Sequence, residues 1–179
     1  MKLKYSLETK DYVNFNLYHI EYTDSIKAKL KKQRISGTLL LVIVGLIALY
    51  FAKNSQLTVA IVAFGIAGYW YINFPKSAKS RVVKSTEKAI KDGKLGDLFR
   101  EVTIEINENG ISESLDESSN SSDWSVINQV VEINDYFYYF LENNNAIVVP
   151  KRLLSEDQVE ELRVIAKDNY KGEVIRLDF

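Results

Sequence analysis

Residues 35–52 read ISGTLLLVIVGLIALYFA, residues 57–74 read LTVAIVAFGIAGYWYINF, and only Lys53-Asn54-Ser55-Gln56 stands between them. Neither run contains a charged side chain. As helices at about 1.5 Å per residue, each would be about 27 Å long, against a hydrocarbon core of about 30 Å. In hydrocarbon every backbone N–H and C=O needs an internal partner, and a helix supplies one. A four-residue polar linker cannot recross a bilayer, so the two runs must reverse as an antiparallel hairpin. The competing reading is a buried helical hairpin in a soluble protein, but the rest of the chain is too short and too polar to wrap both runs. A cleaved signal peptide fits badly, because the first run begins only after thirty-four residues and no small-residue cleavage site follows it.

Working outward, the charge is strongly partitioned. The net charge of the 179-residue chain is −1. Residues 1–34 carry eight Lys/Arg against four Asp/Glu, and residues 75–94 carry seven against two. Residues 95–179 carry seven against eighteen. Lys27, Lys29, Lys31, Lys32 and Arg34 precede the first run, and Lys76, Lys79, Arg81 and Lys84 follow the second, while Lys53 alone marks the tip. Positive flanks stay cytoplasmic, so both termini are expected there, with Lys29, Lys31, Lys32, Arg34, Lys76, Lys79, Arg81 and Lys84 forming a basic collar at the membrane surface. Their minimum role is to fix topology; contact with anionic headgroups is the fuller one. Tyr50 and Phe51 at one boundary, and Tyr69, Trp70, Tyr71 and Phe74 at the other, are expected as interfacial anchors or plain lipid-facing side chains. Gly45, Ala48, Ala52, Ala60, Ala63 and Ala67 offer small faces for close helix packing. Packing within the hairpin is the simplest use, and a homo-oligomer is left open.

The flanks are organised too. Residues 2–7 alternate, with Leu3, Tyr5 and Leu7 on one side of a short strand. Thr9 is the expected N-cap of a helix running from Asp11 toward Arg34, lying either along the membrane or on the C-terminal domain. Pro75 is read as the start of a separate basic helix over 75–94, and Gly93 and Gly96 as the boundary of the last domain. The expected organisation is therefore 1–34, spans 35–52 and 57–74, 75–94, and a domain over 95–179.

In that domain residues 99–107 alternate, Asn109-Gly110 signals a hairpin turn, and residues 111–115 return. Residues 116–122 read as an acidic, serine-rich loop, and Trp124 and Val126 as the start of a third strand. Residues 129–133, the aromatic run 136–141 and residues 146–149 follow as strands, with turns at Asn134-Asp135 and Asn143-Asn144-Asn145. Ser155 with Gln158 fits a capping box, opening a helix whose Val159, Leu162, Ile165 and Ala166 share a face. Residues 174–179 would add a final strand. The expected fold class is an α+β membrane protein: a two-helix transmembrane hairpin plus a C-terminal antiparallel β domain closed by one helix. A PH-like barrel fits this order, and an open sheet crossed by a helix is the alternative.

The segments Trp124-Ser125-Val126-Ile127, Val130-Val131-Glu132, Asp135-Tyr136-Phe137-Tyr138-Tyr139-Phe140-Leu141 and Ala146-Ile147-Val148-Val149-Pro150-Lys151-Arg152 together resemble the YcxB-like family. Tyr5-Ser6-Leu7 and Asp11-Tyr12 resemble its N-terminus. The resemblance implies a bacterial protein with two spans before a small β-rich domain, in the inner (plasma) membrane, and it transfers no catalytic residue.

Chemistry is sparse. The chain has no cysteine, which removes thiolate catalysis, disulfides and sulfur-ligated zinc. His19 is the single histidine, so a Ser–His–Asp triad would have to recruit it; packing or exposure is its expected role. No phosphate-binding glycine loop occurs, and the spans lack the ionisable relay that carriers use. Asp116, Glu117 and Asp123 lack EF-hand spacing and read as solvated. No enzyme activity, cofactor or metal is expected, nor nucleic acid as a partner. Lys151 and Arg152 are the best binding candidates, paired cations at a strand end in an acidic domain. They would hold an anionic headgroup or a partner's carboxylate, or else pair with Glu156, Glu160 or the acidic loop. Two functions follow as expectations: a membrane-anchored interaction module for an unidentified protein partner, or a PH-like sensor of anionic lipid headgroups.

Overall fold

A computed structural model of the chain describes residues 1–115, 118–141 and 145–177. The chain divides into two compact units, Met1–Asp11 with Gly93–Phe179, and Tyr12–Asp92. The first eleven residues thus join the C-terminal domain, correcting the expectation of a separate 1–34 segment. The cause is backbone pairing: β1 (Lys2–Tyr5) runs antiparallel to β2 (Val102–Asn107), Leu3 facing Ile104 and Tyr5 facing Val102.

The helical unit holds most of α1 (Thr9–Tyr22), then α2 (Asp24–Phe51) and α3 (Gln56–Lys91). Helices α2 and α3 are each long and apolar enough to cross a membrane. Each expected span is a section of a longer helix. Pro75 lies inside α3 rather than before a new helix. A proline removes one N–H, here the donor that the Tyr71 carbonyl would have received in the i→i−4 ladder. The Arg34 Nε donates to that carbonyl at 2.8 Å, and its guanidinium lies 3.7 Å from the centre of the Tyr71 ring. The orphaned acceptor is satisfied from the neighbouring helix, so α3 continues.

Within the hairpin the helices approach closely at Gly45, where a Cβ would stand 2.7 Å from the Ala63 Cβ. Two of the small residues read from sequence thus meet across the hairpin. Phe74, expected at the lipid interface, is buried instead and packs on Trp70 at 5.6 Å between ring centroids. Tyr50, Phe51 and Tyr69 are exposed. Helix α1 meets the far half of α3: Glu21 pairs with Lys79, and Asn16 donates to the Thr86 hydroxyl at 3.4 Å. Thr9 is the first residue of α1 rather than its cap.

The other unit is α+β. One sheet has the order β1-β2-β3-β4, with β3 (Gly110–Leu115) and β4 (Ser118–Ser122). The second has the order β7-β6-β5-β8, with β5 (Ile127–Ile133), β6 (Tyr136–Leu141), β7 (Ala146–Pro150) and β8 (Ile175–Leu177). Helix α4 (Glu156–Asn169) carries the expected Ser155–Gln158 capping box. Leu3, Ile104, Ile106, Ile111, Val130, Phe137, Tyr139, Val149 and Leu162 form one core.

Several details differ from the sequence reading. The Ser118–Ser122 stretch is an edge strand paired with β3, not a loop. Trp124–Val126 is a 3-10 turn capped by Asp123, whose Oδ1 accepts from the Ser125 N–H at 2.8 Å. The β2–β3 register pairs Asn107 with Gly110, so the turn is Glu108-Asn109. Gly110 has φ +144°, and a side chain there would collide with the Ser122 carbonyl, so close backbone approach explains this glycine. The domain is not purely antiparallel, because α4 carries the chain across and β8 pairs parallel with β5. Asp116 and Glu117 of the expected loop, Asn143 and Asn144 of the expected turn, and Asp178 and Phe179 of the expected last strand lie outside the described residues.

Candidate functional site

Strand β7 ends at Pro150, and a 3-10 turn, Lys151–Leu153, presents the two candidate cations. The Lys151 N–H donates to the Asp135 carbonyl at 2.8 Å, fixing the start of that turn. Lys151 Nζ reaches Glu132 Oε1 at 2.8 Å and sits 4.8 Å from the Phe137 ring centre. Glu132 is 4 % exposed. It also accepts from Arg163 Nη2 at 2.6 Å and lies 3.2 Å from Arg176 Nε. Burial pushes this carboxyl up, but the Arg163 and Lys151 hydrogen bonds outweigh it and hold Glu132 below the usual carboxylate range.

Arg152 is engaged in the same way by a different acid. Its Nη1 lies 2.6 Å from Asp11 Oδ1 and its Nη2 2.8 Å from Asp11 Oδ2, a bidentate fork, with Glu8 Oε1 at 2.9 Å. Asp11 is 0 % exposed and also accepts from the Tyr136 hydroxyl at 2.8 Å and the Glu8 N–H at 2.7 Å. The Asp11 hydrogen bond, against a smaller cost of burial, raises the Arg152 guanidinium further above its already high value. Lys151 and Arg152 therefore spend their charge inside the domain. They lock the turn after β7 to β5 and to the N-terminal segment.

Their partners are not the ones sequence proximity suggested. Among the described residues the acids that pair with them are Glu132, Asp11 and Glu8 rather than Glu156 or Glu160. A signal existed for the two buried acids. Glu132 interrupts the apolar run Val130-Val131-Glu132-Ile133, and Asp11 sits in the first turn of a helix. A charge in either place needs a partner once buried.

His19 lies in the last turn of α1. Its Nδ1 is 3.1 Å from the Thr23 hydroxyl, and the ring stands edge-on to Phe15 at 4.6 Å. Burial lowers its pKa. Among the described residues no group of three His, Asp or Glu side chains could hold a metal.

The collar residues take several positions. Lys29, Lys32, Lys76 and Lys84 are exposed. Arg81 lies 5.4 Å from the Phe74 ring centre. Lys31, Arg34 and Lys79, with Lys27, converge on a groove of about 380 Å³ between the end of α1, the start of α2 and the Pro75 region of α3. Its lining is otherwise apolar, with Glu21 as its one carboxylate.

No curated protein and no solved structure matches this chain. The model of the family described as YcxB-like protein matches residues 106–165. That stretch holds Trp124, Glu132, the aromatic strand β6, Lys151 and Arg152, whereas the likeness read over residues 5–12 lies outside it. The C-terminal part of this chain, about a third of its length, thus carries a YcxB-like domain.

Proposed function

We propose that this protein is a non-catalytic, membrane-anchored interaction module. Its hairpin spans the inner membrane of a bacterium, both termini are cytoplasmic, and its acidic domain binds a protein partner at the inner face. The observation that carries the reading is apolar surface without protein cover. Only 6 % of the most apolar stretch of α2 and 11 % of that of α3 are buried within the chain. A core helix of a soluble protein would be mostly covered, and water would penalise this area by about 25 cal/mol per Å². The nine cations on one side against Lys53 on the other support the orientation. The net charge of −11 over residues 95–179 supports a protein partner, since an anionic leaflet repels such a surface.

The PH-like lipid-sensing alternative draws support from two four-stranded sheets and a closing helix. It loses the support of Lys151 and Arg152, whose charges are matched internally. In-cell photo-crosslinking from exposed positions of the domain, such as Glu156 or Glu173, in the full chain tests the two. Capture of a defined protein is expected; recovery of lipid alone would overturn the module. A reporter fused to the C-terminus should be active only in the cytoplasm.

A further inference from the structure

We infer that the groove between α1, α2 and α3 is a binding site for the headgroup and upper acyl chain of one anionic phospholipid. The inference rests on the reading of α2 and α3 as membrane spans.

Lys27, Lys31 and Arg34 stand at i, i+4 and i+7 of α2, a spacing that puts them on one helix face. Lys79 comes from α3 on the opposite wall. Four cations therefore face one carboxylate, Glu21, which Lys79 already neutralises. Among the described residues the remaining charge is incompletely matched. Lys27 has an exposed Asp24 oxygen at 3.6 Å. Arg34 gives its Nε to a backbone carbonyl and its face to a ring, neither of which cancels charge. Lys31 has no ion-pair partner among the described residues.

The floor is apolar: Ile20, Leu30, Phe74, Pro75 and Ala78. Depth favours lipid over a soluble anion. Lys31 lies four residues before the first uncharged run and Lys79 five residues after the second. At about 1.5 Å per residue these are about 6 and 7.5 Å along the helices. The headgroup layer is about 5–8 Å thick on each side. A phosphodiester at that depth meets the ammonium groups, while its chain continues down the apolar wall toward the exposed side chains of the spans. The groove volume of about 380 Å³ lies within the range of small-molecule sites.

The test is native mass spectrometry of the full chain in a nonionic detergent, titrated with phosphatidylglycerol or phosphatidylcholine of matched acyl chains. One phosphatidylglycerol should be retained at least about tenfold more tightly than phosphatidylcholine, from the summed attraction of the groove cations. Lys31→Ala and Lys27→Ala should each weaken phosphatidylglycerol about fivefold and leave phosphatidylcholine unchanged. Both side chains are exposed, so the variants should fold as the parent does. Lys84→Ala, outside the groove, should change neither lipid. Equal retention of both lipids, or an equal loss with Lys84→Ala, overturns the site in favour of a diffuse basic surface. Displacement by millimolar glycerol 3-phosphate overturns it in favour of a small soluble anion. A monodisperse chain purified without detergent overturns the membrane reading and this site together. A chain that requires detergent yet shows no lipid preference overturns the site alone.

Discussion

Replacing Asp11 by alanine should unfold the YcxB-like domain at a markedly lower temperature, although Asp11 lies far from that domain in sequence. Asp11 is fully buried and accepts two hydrogen bonds from Arg152, one from Tyr136 and one from the Glu8 backbone. Removing one member of a buried ion pair costs about 3–5 kcal/mol, because the surviving charge stays desolvated. Arg152 is partly exposed and keeps Glu8 at 2.9 Å, so the loss should fall near the lower end, about 3 kcal/mol. For a domain of this size each kcal/mol shifts the midpoint by about 4–8 °C, giving a drop of about 12–24 °C. The assay is thermal unfolding of the full chain in detergent, followed by Trp124 fluorescence in a Trp70→Phe background. Trp124 suits this because it is buried in the domain core and donates to the Asn107 carbonyl at 2.9 Å. Arg152→Met should cost a similar amount, and the double variant should recover at least about 1 kcal/mol of the summed loss. A shift below about 4 °C for Asp11→Ala, or strict additivity, would refute the claim that this pair fastens the N-terminal segment.

Three further outcomes follow from the same reasoning. Glu132 titrates below its unfolded value, so its contribution is full above about pH 4.3 and disappears as pH falls through the lower folded value; Glu132→Gln should lower the midpoint at pH 7, and in a pH series of melts its curve should approach the parent curve only as the pH falls through that lower folded value. Arg34→Ala should destabilise the hairpin by about 1–2 kcal/mol in the parent and by less in a Pro75→Ala background, where a restored N–H serves the Tyr71 carbonyl; equal losses in both backgrounds, measured by steric trapping, would refute that role. Gly45→Leu should push α2 and α3 apart at Ala63 at a cost of about 1–3 kcal/mol, read as a longer distance between spin labels on cysteines introduced at Leu41 and Ile66.

The candidate site was legible in its residues and illegible in its partners. Lys151 and Arg152 stood out as paired cations at a strand end, and the structure places them there. Their acids lie 19 and 141 residues away in sequence. Spacing along a chain says little about groups brought together by folding, whereas Glu156 and Glu160 were attractive because they were near. The basic collar reads as one class by composition. Only packing separates Lys84, which lies outside the groove, from Lys31, which lines it, and from Arg34, which repairs the gap left by Pro75.

The hairpin, the capped helix α4 and the apolar positions of β2, β5 and β6 are properties of sequence alone. Each depends on local transfer energies or on hydrogen bonds within a few residues. Strand β4 shows the opposite case, since Ser118-Ser119-Asn120-Ser121-Ser122 has no apolar alternation and becomes a strand by pairing with β3. The same holds for β1, which belongs to the C-terminal domain because β2 offers it a free edge about a hundred residues later in the chain. Which stretches are apolar enough to cross a membrane, and which turn caps itself, was written in the order of the residues. What pairs across a sheet, or neutralises a buried charge, was decided only when distant segments met and desolvation made each polar group find a partner.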